Sequence, residues 1–563
     1  MRLRLAPLRV VLALLFVALA GCVSSGSRLY WSPPPVPALC AASSNPAKEL
    51  LQRAAVADGL NDPTAPELYL HAALTAWNEI EKSQNNCANC GEFPDSAETY
   101  RVAVGRFLET ARDQGEWVAG EGFYVSTSQG RISIPIQPHA FAWRADEFQE
   151  LHAVGDYAAP SLSRRHEGFG LGAPVVAVRH DSPALRPGDR FLPPTSYFAA
   201  TAILRPTKHL DGTPGITLEL WDPQTTRHVT GPAGEIPLAT DISAPMAYRE
   251  VERNTPFDPF EMFVYPDNNP VTEGLYLLEP YQPGKIPVVF VHGLLSSPRT
   301  WIDLVNDLKA NPEFNTRYQI WVFGYATGKP FIASAAALRR DLCEAVSELD
   351  AEGYDPALRE IVLVGHSMGG LISKLQVASS GNELWGTIAS EPLDNLKMSD
   401  ESRERIREIV YFEPVPFIRR VVFVGTPHRG AAVATRVVGR VSSALVRRNP
   451  DDYEKLREII ADNRGAFRIS PWGRLPTSID MLEPSDRMLQ ATERMTLSDR
   501  VHFHTIAGTG LYTLGPGKGD GVVPLSSATH PVAESELQVK TTHTNIHRHP
   551  ESTAEIWRIL SEP

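Results

Sequence analysis

A chain of 563 residues is too long for one small core and predicts two or three domains. Its 43% hydrophobic and 21% charged content exclude both wholesale disorder and a multi-span membrane protein. A net charge of −12 argues against nucleic acid as a partner, because phosphates demand a basic face.

The first element in chain order is a leader. Arg2, Arg4 and Arg9 precede the apolar run Val10 to Ala20, too short to span a bilayer comfortably and fitted to a signal peptide. It ends in Leu19-Ala20-Gly21-Cys22, which resembles the lipobox of bacterial lipoproteins. The resemblance implies a signal peptide over residues 1–22, cleavage before Cys22, and acylation of that cysteine. Val23 stands where an inner-membrane retention aspartate would, so the implied location is the cell envelope, lipid-anchored, at the outer membrane. Losing three arginines makes the chain more acidic still. Acyl chains, not charge, would then supply the membrane affinity. An exported chain favours disulfides, with Cys87 and Cys90 as a local bridge or one of them paired with Cys40. Without a second Cys-x-x-Cys there is no zinc or redox signature.

Residues 23–46 are rich in Ser, Pro and small side chains and read as a tether. Residues 47–116 turn helical: Leu50, Leu51, Ala54 and Ala55 open the pattern, and Tyr69–Ile80 and Thr99–Ala111 continue it. Residues 117–257 change texture. Short alternating runs (Arg131–Ile136, Pro174–Val178, Ala199–Leu204, Gly215–Trp221) between Gly, Pro, Asp and Asn predict an antiparallel β domain. Its histidines, His139, His152, His166, His180, His209 and His228, lack metal-site spacing and read as surface residues. These two regions offer a surface for a protein partner. A Pro-rich linker follows over residues 258–286.

From residue 287 to 563 strand-like and helix-like segments alternate. Pro287–Val291, Gln319–Gly324, Ile361–Gly365, Val421–Gly425, Phe503–Ala507 and Leu537–Lys540 are the expected strands. The alternation predicts an α/β class, with a mostly parallel sheet covered on both faces and its site at the strands' carboxyl ends. The segments 379–420 and 431–498 interrupt it as cap or lid insertions. Within them Phe412–Ile418, with Trp385 and Leu393, either lines an acyl pocket or packs on the sheet.

Glu360-Ile-Val-Leu-Val-Gly-His-Ser-Met-Gly-Gly370 is a buried strand emptying into Gly-x-Ser-x-Gly and then a helix. That order is what a nucleophile elbow requires, with Ser367 at the tip and glycines letting strand and helix pass closely. A serine hydroxyl needs a base and the base needs an orienting carboxylate. Asp520, between glycines in the loop after a later strand, is the candidate acid. His543 lies nearest the last strand end and is preferred as base, with His547 and then His549 as alternatives. Three histidines with no interleaved carboxylate do not suggest a metal. Two N–H donors must meet the developing oxyanion. Met368 follows the nucleophile, and Leu294 sits in the first strand–helix turn, with His292 as a structural support beneath it. The reading needs neither cofactor nor metal.

Together His292-Gly293-Leu294, Gly365-His-Ser-Met-Gly369, Gly425-Thr-Pro-His-Arg-Gly430, Asp520-Gly-Val-Val-Pro524 and a late histidine resemble the α/β-hydrolases. Within that superfamily they look like bacterial triacylglycerol lipases and related lipid deacylases. The likeness runs from about Gln282 to the C-terminus. It implies nucleophile Ser367, acid Asp520, base His543 and oxyanion donors Leu294 and Met368, acting on carboxylic esters of lipid or acyl type. The Thr-His-Thr setting of the histidine and the long insertions depart from the family. The same site serves an acyltransferase or amidase, and an inert hydrolase fold used for interaction is the remaining alternative.

Overall fold

The computed structural model describes residues 30–36, 45–85, 93–208, 213–232, 234–252, 273–431, 450–468, 477–513 and 517–562. Cys22 and the leader lie outside the described residues, as do Cys40, Cys87, Cys90 and His209.

Three helices open the fold: α1 (Pro46–Gly59), α2 (Ala65–Asn85) and α3 (Phe93–Asp113). Asn45 caps α1, its side chain accepting from the Lys48 N–H at 2.9 Å, and Pro46 fills the first turn, where its missing N–H costs nothing. Ala47, Leu51 and Ala54 bury one stripe of α1. The helices lie on a seven-stranded sheet made of β1 (Trp117–Val118), β2 (Gly122–Thr127), β3 (Gly130–His139), β4 (Glu150–Ala153), β5 (Ala173–His180), β6 (Thr195–Lys208) and β7 (Pro214–Trp221). Its order is β1-β2-β3-β7-β6-β5-β4. Tyr100 of α3 donates its hydroxyl to the Leu204 carbonyl at 2.9 Å, joining the layers. The helix α4 (Ala244–Glu252) covers the opposite face, placing Ala244 and Ala247 on Val176 and Val178. Two covered faces explain why β5 and β6 are nearly continuous apolar runs.

Two expectations change here. The sheet is not wholly antiparallel: β3 and β7 run parallel, Ile136 opposite Leu218. Antiparallel order comes from hairpins, whereas this pair is joined only after β4, β5 and β6 have been laid down on the far side. Part of the expected tether is docked. Trp31 stacks on Tyr157 with centroids 5.4 Å apart, Ser32 donates its N–H to the Asp156 carbonyl, and Arg106 Nε donates to the Pro34 carbonyl at 2.7 Å.

The second sheet contains β8 (Gly274–Leu277), β9 (Ile286–Val291), β10 (Tyr318–Gly324), β11 (Ile361–His366), β12 (Ile418–Val424), β13 (His502–Gly508) and β14 (Ser535–Val539). The order is β8-β10-β9-β11-β12-β13-β14, parallel except for β8. The edge strand β8 falls inside the expected linker; only Leu275 and Leu277 turn inward, too short an alternation to stand out beside so many prolines. On one face Val288 and Phe290 meet Leu304 of α5 (Ile302–Lys309) and Ile556 of the C-terminal helix Pro550–Ser561. On the other, Val289 and Leu363 meet Leu338 of α6 (Phe331–Leu349) and Leu371 of α7 (Met368–Lys374). Val291 lies opposite Gly365, His366 opposite Val424, Val424 opposite Ile506, and Gly508 opposite Val539. This register brings the carboxyl ends of five strands to one rim.

α5 also docks the N-terminal half. Asp303 accepts from the Ser163 N–H at 2.8 Å, His166 Nε2 meets Asp307 at 2.7 Å, and fully buried Asn306 bonds Ser243 Oγ at 2.8 Å. Several of the histidines read as surface residues are half-buried and take partners. His152 and His180 both bond Glu150 at 2.8 Å, and His139 stacks on Trp221. Among the described residues no helix is long and apolar enough to cross a membrane.

Candidate active site

Ser367 occupies the turn between β11 and α7 with φ 55° and ψ −124°, a conformation that L-residues avoid. The cost is borne because the surroundings allow no other path. The Ser367 N–H donates to the Val424 carbonyl at 2.9 Å. A Cβ on Gly365 would stand 2.6 Å from the Gly369 carbonyl oxygen; one on Gly369 would stand 2.3 Å from that of Val291; one on Gly370 would meet Thr426 Oγ1 at 1.9 Å. Each glycine of the motif thus marks a close approach of main chain to a neighbour.

Asp520 follows β13, and its carboxylate is 1% exposed. Its Oδ1 accepts from the N–H groups of Val522 and Val523 at 2.9 and 2.7 Å. Its Oδ2 lies 2.7 Å from Nδ1 of His543, which follows β14. An ionised carboxylate only accepts, so Nδ1 carries the proton and Nε2 keeps its lone pair. That lone pair lies 2.9 Å from Ser367 Oγ. The His543 N–H donates to the Asp520 carbonyl at 2.9 Å, so Asp520 and His543 are joined through main chain and side chain alike. Three side chains far apart in sequence form one unbroken hydrogen-bonded series.

The two alternative histidines have other partners. His547 is buried, with Nε2 3.0 Å from Thr300 Oγ1, and burial pushes its pKa down to about 3. His549 is half-buried and caps the C-terminal helix, accepting from the Glu551 N–H. Among the described residues no group of three or more His, Cys, Asp or Glu side chains could hold a metal ion.

The loop after β9 closes against Ser367: a Cβ on Gly293 would stand 2.9 Å from Ser367 Cβ. Leu294 is half-buried beside it, and Met368 opens α7, where the first N–H groups have no intrahelical acceptor. His292 lies beneath, fully buried, and burial lowers its pKa to about 4. Its Nδ1 donates to the Gly293 carbonyl at 3.0 Å, and its Nε2 accepts from the Tyr325 N–H. Tyr325 adds its hydroxyl to the His292 carbonyl at 2.6 Å and stacks its ring on the imidazole at 4.3 Å. Thr327 Oγ1 takes the N–H of Leu295, another residue at positive φ, 52°. Tyr325 and Thr327 escape a sequence reading. Their only signal is position, directly after the strand that neighbours β9.

Trp385, Leu393 and Phe412 are buried in the main core, with Phe412 under the Arg339 guanidinium at 3.8 Å. Among the described residues they pack into that core.

Residues 288–519 match the model of the alpha/beta hydrolase family. The Bacillus licheniformis lipase BlEst2, in its mature form, aligns at 19% identity over 51% of this chain and 97% of its own, with a TM-score of 0.31. Esterase B from Lactobacillus rhamnosis aligns at 15% identity over 51% of this chain and 78% of its own, with a TM-score of 0.27. A thermophilic esterase from Thermogutta terrifontis gives 14% identity, 51% and 88% coverage, and a TM-score of 0.27. No protein of curated function matches the chain.

Proposed function

We propose that this chain, whose residues 288–519 match the alpha/beta hydrolase family, is a serine hydrolase that cleaves carboxylic esters of lipid or acyl type. The observation that carries the reading is the series Ser367 Oγ, His543 Nε2, His543 Nδ1, Asp520 Oδ2, with contacts of 2.9 and 2.7 Å. In this reading His543 takes the Ser367 proton as Oγ attacks the ester carbonyl. Asp520 holds the imidazole in the required tautomer and stabilises the imidazolium. The oxyanion rests on the Leu294 and Met368 N–H groups, each worth roughly 3 kcal/mol in the transition state. His543 then protonates the leaving alcohol, and water activated by the same base releases the acid. Purified wild type should turn over p-nitrophenyl esters of several chain lengths while Ser367→Ala does not. Equal rates in both would defeat the reading.

Acylation at Cys22 and an outer-membrane location complete the proposal. Incorporation of an alkyne palmitate, lost in Cys22→Ala, would support them. A second reading, acyl transfer to an alcohol or amine through the same groups, is favoured by the dryness of the site. Ser367 is 7% and His543 9% exposed. Product analysis with and without an alcohol acceptor separates the two.

A further inference from the structure

The residue before the nucleophile is not used by the chemistry above, yet it is buried at the centre of the site. His366 is 6% exposed, and its Nε2 lies 3.1 Å from the main-chain carbonyl oxygen of His543, 177 positions later in the chain. A carbonyl only accepts, so Nε2 carries the proton and donates it. Nδ1 is then an unprotonated acceptor, buried with no partner among the described residues. The ring packs 4.9 Å from His543, 4.8 Å from His547 and edge-on to Trp301 at 6.3 Å.

From this geometry we infer that His366 is a positioning residue, which fixes the main chain of the base to the nucleophile's own strand. The inference rests on the serine-hydrolase reading. Its content is that the two main-chain polar groups of His543 are held by the other two corners of the site. The N–H is held by the Asp520 carbonyl at 2.9 Å, the carbonyl by the residue adjoining Ser367. During a catalytic cycle the Oγ–Nε2 bond is broken and remade while the imidazole serves first the serine and then the leaving group. Contacts that do not involve the reacting atoms are the ones that can keep the ring in reach, and both main-chain bonds are of that kind. Burial holds the His366 pKa well below its ordinary value, with His547 and His543 nearby adding to the effect, so the ring stays a neutral donor rather than a charge.

A side chain that acts by position, not charge, should be replaceable by a neutral donor of equal reach. Gln places its amide nitrogen about as far from Cα as Nε2; Asn falls short, and Leu fills the space without donating. Fluorophosphonate labelling of Ser367 and steady-state ester turnover should be measured for wild type, His366→Gln, His366→Asn and His366→Leu. The loss expected for Asn and Leu is roughly tenfold to a hundredfold in labelling rate and kcat, with KM within about twofold, since sub-ångström misplacement acts on the reacting geometry. Gln should recover most of it, and the acid limb of the pH–rate profile should not move in any variant. Where Leu fails to fold, the comparison of Gln with Asn carries the test. Wild-type kcat in Asn or Leu, or a folded Gln variant no better than Asn, would overturn the inference. Absence of labelling in the wild type would instead overturn the serine-hydrolase reading itself.

Discussion

Replacing Asp520 by Asn tests the orienting role without disturbing the fold. The two Asp520 oxygens have different partners: Oδ1 accepts from Val522 and Val523 N–H, and Oδ2 accepts from His543 Nδ1. An amide has one acceptor and one donor end. Turning its NH2 toward two main-chain N–H groups would break two buried hydrogen bonds, so the oxygen must take the Oδ1 position. The NH2 then faces His543 Nδ1 and can be satisfied only by a lone pair there. The proton moves to Nε2, and the imidazole offers Ser367 a donor where a base is needed. Inverting the tautomer in this way is expected to cost about ten-thousand-fold in kcat, or ~5.4 kcal/mol of barrier, the scale seen when such a carboxylate becomes an amide in other serine hydrolases. Turnover of a p-nitrophenyl ester, followed beside near- and far-ultraviolet circular dichroism, gives the result. A folded Asp520→Asn protein within tenfold of wild-type kcat would refute the reasoning.

Three further outcomes are expected. Gly369→Ala puts a Cβ 2.3 and 2.4 Å from the carbonyl oxygens of Val291 and His292, main-chain atoms that cannot swing aside. A loss of ~1–3 kcal/mol should lower Tm by several degrees, with turnover falling as the loop before Leu294 is displaced; an unchanged Tm would show the elbow to be loosely seated. Tyr325→Phe strands the buried His292 carbonyl, which now receives a 2.6 Å bond, at ~1–3 kcal/mol of stability. Its kcat should fall about tenfold with KM little changed, and a KM effect alone would argue against an anchor for the oxyanion loop. Burial first, and then the charge of Glu279, push the Asp222 carboxyl up to about 7, against ~3.9 when unfolded. The folded state binds more protons between those values, so this carboxyl costs stability as pH rises through that window. Asp222→Asn removes the cost, so its Tm advantage over wild type should be larger near pH 8 than near pH 5; a difference independent of pH would contradict the burial argument.

The centre of the second sheet was legible because its inner strands are buried on both faces and read as short apolar runs such as Val288–Val291 and Ile361–Val364. As candidate site residues, Ser367 and Asp520 were legible because each lies beyond such a run, and His543 because it follows the last strand, since parallel sheets collect side chains at one rim. Local sequence fails where the partner lies far along the chain. The pairing of Ile136 with Leu218 depends on the strands laid down between them, and the docking of Trp31 on Tyr157 hides in a stretch whose composition is that of a linker. The same limit applies within the site. His292 could be read as a support from its place in the turn, but its actual props, the hydroxyl and ring of Tyr325, come from a neighbouring strand's end. His366 belongs to the most recognisable motif in the chain, yet its partner is a carbonyl oxygen that no side-chain pattern announces. Apolar composition alone does not distinguish a wall from a core, and Trp385 and Phe412 are packed in the main core.

The central claim, that Ser367 is the nucleophile of an acyl-enzyme, is met most directly by mass spectrometry of the protein acid-quenched during turnover of an activated ester. The account predicts a covalent increment equal to the acyl group on the peptide containing Ser367, and none in Ser367→Ala. Turnover with the increment on another residue, or with no increment under conditions where deacylation limits the rate, would contradict it.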